Sequence, residues 1–180
     1  MSDLTEKKLS STEIFKGVLL HVFKDEVLLP DGGKGTREYI KHNGASCVVP
    51  VTDNGEVVMV RQFRYPFGRV LLEVPAGKLD CAGEDPAEAA KRELREETGA
   101  EAKELIFMGE YYPTCAYSTE IIYMYLAKGL TFGETDPDED EFIETEKLPI
   151  EKLVKMVMDG EIKDGKTQAA ILKAYNILTK

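Results

Sequence analysis

Residues 77–100 read Gly77-Lys78-Leu79-Asp80-Cys81-Ala82-Gly83-Glu84-Asp85-Pro86-Ala87-Glu88-Ala89-Ala90-Lys91-Arg92-Glu93-Leu94-Arg95-Glu96-Glu97-Thr98-Gly99-Ala100. Four of their carboxylates, Glu84, Glu93, Glu96 and Glu97, are crowded into one loop, helix and loop unit. Asp85 can cap a helix, Pro86 suits its first turn, Glu88 stands where a capping-box partner would, and Gly99 supplies the stop. At about 100° per residue, Ala87, Ala90, Leu94 and Thr98 form one stripe, and Glu93, Glu96 and Glu97 share the adjoining arc. The stripe should pack inward with the carboxylates along its edge. Like charges at these spacings cost a few tenths of a kcal/mol per pair when exposed and more when partly buried. A divalent cation would reverse that sign. The alternative is a solvated acidic face, with Arg92 and Arg95 neutralising part of the charge.

The whole pattern resembles the Nudix box: Gly, five residues, Glu, seven residues, Arg-Glu, an aliphatic, any residue, Glu-Glu, any residue, Gly and an aliphatic. Glu84, Arg92, Glu93, Leu94, Glu96, Glu97 and Gly99 match it. At roughly 5–8% usage per residue type, six fixed positions coincide by chance about once in 10⁷ windows. Two departures stand out. Six residues separate Gly77 from Glu84, and Ala100 is small for its position. The extra residue falls in the loop ahead of the helix, where it alters the loop's path and leaves the carboxylates in place.

The resemblance extends over nearly the whole chain, through Leu29-Pro30-Asp31-Gly32, Arg37-Glu38, Arg61-Gln62-Phe63-Arg64, Glu73-Val74-Pro75-Ala76-Gly77, Glu120-Ile121-Ile122 and Asp138-Glu139-Asp140-Glu141-Phe142-Ile143-Glu144. These segments are similar to the ADP-ribose pyrophosphatase branch of the Nudix hydrolases. That branch usually carries Ser-Pro-Gly ahead of the Glu matched by Glu120, whereas Cys115 and Ala116 stand there in this chain, with Pro113 two residues earlier.

Length and composition agree with an enzyme of one domain with a full core and a small appendage: 180 residues, 43% hydrophobic, 31% charged. A net charge of −10 argues against a general nucleic-acid surface. An acidic protein that handles phosphates needs local cations, which a metal and a few arginines would supply. Cys47, Cys81 and Cys115 show neither pairing nor zinc-type spacing, which suggests reduced thiols in a cytoplasm. His21 and His42 are isolated and read as structural. Met1 to Lys8 lacks the apolar core of a signal peptide, and no apolar run approaches a membrane span.

Alternating patterns predict strands at Glu13 to Phe15, Leu19 to Leu29 and Gly35 to Lys41, broken at Pro30-Asp31-Gly32-Gly33. From Ala45, Ser46 to Thr52 and Glu56 to Phe63 read as a hairpin about Asp53-Asn54-Gly55. Further strands are expected at Val70 to Val74, Leu105 to Tyr112, Glu120 to Ala127 and Phe142 to Leu148, with helices at Ile150 to Met158 and Thr167 to Leu178. The order of sheet, helix, sheet and helices indicates α+β: a Nudix-type α/β/α sandwich with a small N-terminal antiparallel β-sheet, rather than a doubly wound sheet. Residues 1–44 are assigned to the N-terminal sheet, with dimerisation and substrate contacts, and 45–180 to the hydrolase domain. A sheet that small has little core of its own, which suggests a homodimer.

The resemblance implies cleavage of a nucleoside diphosphate linked to another group; for ADP-ribose, the products are AMP and ribose 5-phosphate. It implies Mg²⁺, or Mn²⁺ as a substitute, held by Glu93, Glu96, Glu97 and the backbone carbonyl of Ala76. The box spends its carboxylates on metal, so the base is sought in the acidic loop Asp136 to Glu141: Glu139 as base and Glu141 as metal or water partner, with the roles exchangeable. Arg37 and Arg64 would hold phosphate or nucleobase, and Glu120 would accept ribose hydroxyls. Other readings are a nucleotide-sugar or NADH pyrophosphatase, a hydrolase of damaged nucleoside triphosphates, and an ADP-ribose sensor without turnover.

Overall fold

A computed structural model describes residues 3–136 and 142–180, and Glu139 and Glu141 lie outside the described residues. The chain divides into two compact units, one holding the residues up to Asn43 with Thr114–Glu120, the other Gly44–Pro113 with Ile121–Lys180.

In the first unit, β1 (Lys7–Lys16), β2 (His21–Leu28) and β3 (Lys34–Lys41) form an antiparallel sheet in that order. β1 is longer than its hydrophobic pattern suggested because all ten of its residues are exposed and carry no inward alternation. The loop Thr114–Glu120 hydrogen-bonds along β3: Ile40 N–H donates to the Tyr117 carbonyl at 2.8 Å, and Thr119 N–H to the Ile40 carbonyl at 3.0 Å. Glu120 therefore belongs to this loop and not to the strand predicted from it. Its N–H donates to Ser118 Oγ at 3.1 Å, and the next strand begins at Ile122.

The second unit contains two sheets. β4 (Ala45–Pro50), β7 (Ala76–Lys78), β8 (Ala100–Tyr111) and β9 (Ile122–Phe132) form a mixed sheet in the order β7-β4-β9-β8, with β4 and β9 parallel. β5 (Glu56–Arg64), β6 (Arg69–Glu73) and β10 (Ile143–Pro149) form an antiparallel sheet in the order β10-β5-β6. All six residues of β4 are buried. Because side chains alternate, Cys47 and Val49 join Met124 and Leu126 on one face, against Leu153 of α2 (Ile150–Met158) and Ala170, Ile171 and Ala174 of α3 (Gly165–Leu178). Val48, Tyr125 and Ala127 take the other face, against Ala90 and Leu94 of α1 (Pro86–Thr98). Helices on both faces of one sheet make the α/β/α sandwich.

The predicted hairpin is corrected by this arrangement. The turn at Asp53-Asn54-Gly55 exists, with Gly55 at φ +77° and Thr52 N–H donating to the Glu56 carbonyl at 2.8 Å. Beyond the Val51 to Val57 bridge, however, the strands enter different sheets. The backbone edges of β4 are taken by β7 and β9, leaving none for β5. No helix among the described residues is long and apolar enough to cross a membrane.

Candidate active site

The helix signals of residues 85–99 operate largely as their chemistry requires. Asp85 accepts from Ala87 N–H at 2.9 Å, Pro86 opens α1, and Gly99 closes it at φ +67° with its N–H on the Arg95 carbonyl at 2.8 Å. The capping box is replaced by a local ion pair, in which Glu88 accepts from Lys91 at 2.7 Å. Ala89, Ala90, Leu94 and Thr98 are buried, and so are the carboxylate-bearing Glu93 and Glu97, at 8% and 4% exposure.

Burial of two acids on one helix face needs compensation. Part comes from Arg92, whose Nη1 donates to Glu93 at 2.7 Å and to Glu96 at 3.2 Å, while Nη2 donates to the Lys78 carbonyl at 3.2 Å. Asp80 and Glu84 stand 3.6 and 3.7 Å from Nη2. Partial burial opposes the Arg92 charge, but Glu93, Asp80 and Glu96 outweigh it and raise the guanidinium pKa above its ordinary value. Glu97 turns to the backbone and accepts from Ala76 N–H at 3.2 Å. Glu84 organises the preceding loop by accepting from Asp80 N–H at 2.5 Å.

Short strand β7 brings this loop against α1. At Gly77 a Cβ would fall within 3.0 Å of the whole Glu93 carboxylate, 2.5 Å from Oε2 and nearer to Oε1. Glycine matters here for its lack of a side chain, since the Glu93 carboxylate occupies the place where a Cβ would stand.

A second ionic cluster lies just upstream. Glu73, 1% exposed at the end of β6, accepts two hydrogen bonds from Arg64, Nε and Nη2 each at 2.7 Å, and a third from Lys166 Nζ. Lys166 also donates to Asp164 at 3.0 Å, and Asp164 caps α3 by accepting from the Thr167 N–H at 2.9 Å. Burial by itself would raise the Glu73 carboxyl, but Arg64 and Lys166 prevail and hold it below the usual carboxylate range. Burial pushes the neighbouring Cys47 thiol up to about 12, so it stays protonated at neutral pH.

The structure thus sets Glu93 against Gly77 and Glu97 against Ala76 of β7, while Glu96 stands on the same helix beside Arg92. Among the described residues, no three His, Cys, Asp or Glu side chains converge as around an ion: Arg92 draws Glu93 and Glu96 to itself, and Glu97 faces a backbone N–H. Arg64 is forked on Glu73. Arg37 lies on β3 of the first unit, where its Nη2 pairs with Glu6, and Glu120 lies in the loop of that unit. Sequence reasoning missed the roles of Glu73, Asp164, Lys166 and Thr167. The only local signal was Asp164-Gly165-Lys166-Thr167 as a helix start.

The donor set suits a divalent ion. Carboxylates and a backbone carbonyl are hard oxygen donors of the kind Mg²⁺ and Mn²⁺ accept, and the bare Cα of Gly77 leaves the Glu93 carboxylate its place.

Comparison with known proteins shows the family. Residues 41–170 match the NUDIX domain, and residues 6–40 the nucleoside diphosphate sugar hydrolase N-terminal domain. The chain is 41% identical over 173 residues to an ADP-ribose pyrophosphatase of Bacillus subtilis (strain 168), covering 95% of this chain and 93% of that one. It is 37% identical to a methanol dehydrogenase activator of Bacillus methanolicus, with 92% and 90% covered. To a GDP-mannose pyrophosphatase of Yersinia enterocolitica it is 35% identical, with 78% and 79% covered. The crystal structure of an ADP compounds hydrolase shares the fold, with a TM-score of 0.86 at 20% identity and 99% and 97% of the two chains covered. With the box, the sandwich and these relatives in agreement, the chain belongs to the Nudix hydrolase family.

Proposed function

We propose that this Nudix hydrolase cleaves the pyrophosphate bond of ADP-ribose to AMP and ribose 5-phosphate, with Mg²⁺ as the physiological form of the divalent ion its family generally uses. The observation that carries this reading is the placement of buried Glu93 and Glu97 against the Ala76-Gly77 turn, on a helix that also presents Glu96. The ADP-ribose pyrophosphatase of Bacillus subtilis, similar over 95% of this chain, supports the substrate.

In this reading Glu93, Glu96, Glu97 and the Ala76 carbonyl hold the ion. When bound, Mg²⁺ neutralises the pyrophosphate oxygens and acidifies a water. Arg64 orients the anionic substrate through the N–H groups that Glu73 leaves available, Arg37 adds a further cation, and Glu120 accepts ribose hydroxyls. Glu139 takes the proton from the attacking water, and Glu141 is its partner.

Residues 1–44 serve dimerisation and substrate contacts, and 45–180 serve catalysis. Exposed Ile14, Phe15, Val18, Leu19 and Leu20 in and after β1 favour a homodimer. The three unpaired cysteines favour a reducing cytoplasm.

The GDP-mannose pyrophosphatase relative supports a second reading, hydrolysis of a nucleotide sugar. The test is kcat/KM with Mg²⁺ for ADP-ribose, GDP-mannose, NADH and 8-oxo-dGTP. ADP-ribose is expected to lead. GDP-mannose ahead of it would transfer the assignment to nucleotide sugars, and turnover of none would favour a sensor.

A further inference from the structure

Arg64 meets Glu73 side-on, through Nε and Nη2, so two of its five N–H donors are engaged and three remain. Its side chain is 36% exposed, whereas the Glu73 side chain beneath it is 1% exposed and Lys166 11%. The guanidinium is therefore anchored on a buried carboxylate while its own side chain stays partly exposed. Lys166 braces the anchor by sharing Oε2 of Glu73 with Arg64 Nη2, so that the buried carboxylate does not rely on Arg64 alone for compensation.

Lys166 is itself held between two carboxylates, Glu73 and Asp164. Asp164 accepts from Lys166 and from both the N–H and the Oγ1 of Thr167, the latter at 2.6 Å. Thr167 Oγ1 in turn accepts from Val74 N–H at 3.0 Å, next to Glu73. A Cβ on Gly165 would meet the Tyr111 hydroxyl at 2.6 Å, so a larger residue here would have to displace that side chain. The first turn of α3 thereby clamps the chain at Glu73 and Val74, and hydrogen bonds support the following residues in sequence, Pro75 by Val48 and Ala76 by Glu97.

We propose that Lys166 is a positioning residue that acts through Glu73, keeping Arg64 oriented and incompletely neutralised so that its three remaining N–H donors can grip a phosphate of the substrate. This rests on the reading of Arg64 as a substrate contact. Without Lys166, the buried Glu73 carboxylate has Arg64 as its sole cation among the described residues, and the guanidinium is drawn more fully into that pair and away from an incoming anion. The binding of anionic substrate suffers and the chemical step does not.

The test is a double-mutant cycle on the full chain, read as KM and kcat for ADP-ribose with Mg²⁺. Lys166→Gln and Arg64→Lys are each expected to raise KM about tenfold, the scale of one charge-assisted hydrogen bond, with kcat within about twofold. Arg64→Lys keeps a cation beside Glu73 while removing the fork. The double variant is therefore expected to match Arg64→Lys alone within about twofold, because the residue Lys166 acts through is gone. Full multiplication of the two effects would overturn the positioning role, as would a fall in kcat with KM unchanged in Lys166→Gln. An unchanged KM in Arg64→Lys would remove Arg64 from the substrate site, and the proposal with it. If Lys166→Gln does not fold, Glu73→Gln is compared with the charge-balanced Glu73→Gln/Lys166→Gln: because Lys166 acts through Glu73, the two KM values should agree within about twofold, and a further rise in KM in the double variant would overturn the proposal.

Discussion

Gly77→Ala adds one methyl group and removes no functional atom, so it isolates the geometry of the carboxylate face. The new Cβ would stand 2.5 Å from Glu93 Oε2 and closer to Oε1, inside the 3.0 Å that Cβ contacts essentially never breach. Gly77 is not among the glycines with positive φ, so alanine meets no backbone strain there. The clash is borne by the end of a flexible side chain, which can retreat by rotating. The expected thermodynamic cost is small, about 1 kcal/mol at most, from the weakened Glu93 to Arg92 pair and slight overpacking. The expected catalytic cost is large: with Glu93 as the proposed ligand, a displacement on the order of 1 Å should lower kcat by about 10²-fold. The assay is AMP release from ADP-ribose at saturating Mg²⁺ beside a thermal melt. A Gly77→Ala enzyme with kcat within twofold of wild type would refute the assignment of Glu93 to the reacting centre. Loss of activity accompanied by loss of the fold would refute the argument that the side chain gives way.

The acidic loop gives a second expectation: Glu139→Gln lowers kcat by about 10²–10⁴-fold with little change in KM, and Glu141→Gln gives the smaller loss. Near-normal kcat in both would send the search for a base to Glu96. Leu94→Ala removes a side chain that is 1% exposed between α1 and the mixed sheet, and calorimetry or denaturant titration should show a loss of about 2–5 kcal/mol; a loss under 1 kcal/mol would contradict the packing described. The folded-state pKa of Glu73 is depressed, so its stabilising contribution is complete above the ordinary value of 4.5 and is lost as pH falls through the folded value. The melting temperature of wild type should accordingly fall more steeply than that of Glu73→Gln on acidification below about pH 4.5; parallel curves would exclude Glu73 as a contributor.

The helix at the centre of the site was legible because every signal is local. Asp85, Pro86 and Gly99 lie within the element they delimit, and the stripe containing Ala90 and Leu94 is the face that packs. The sandwich was legible from the order of elements. The pairing of β4 was not: its apolar run says that both faces are covered and leaves open which strands fill its edges. β8 starts at Ala100, earlier than the predicted Leu105, because Glu101, Lys103 and Glu104 on this edge strand hide its alternation. Within the site, the spacing of Glu93, Glu96 and Glu97 announced a shared arc, and the alternative in which Arg92 and Arg95 neutralise part of its charge is what the side chains adopt; which carboxylates Arg92 takes depends on rotamers and was not legible. The bond from Lys166 to Glu73 spans 93 residues of sequence and has no local signature at all.

The proposed service of Glu93, Glu96 and Glu97 to a divalent ion in pyrophosphate cleavage is tested most directly by metal removal. ADP-ribose turnover, followed as AMP and ribose 5-phosphate, should be abolished by excess chelator and restored by adding Mg²⁺ or Mn²⁺ beyond the chelator's capacity. Glu97→Gln should remain folded and stay slower by orders of magnitude at any metal concentration. Full turnover in excess chelator, or a Glu97→Gln enzyme as fast as wild type, would contradict the account.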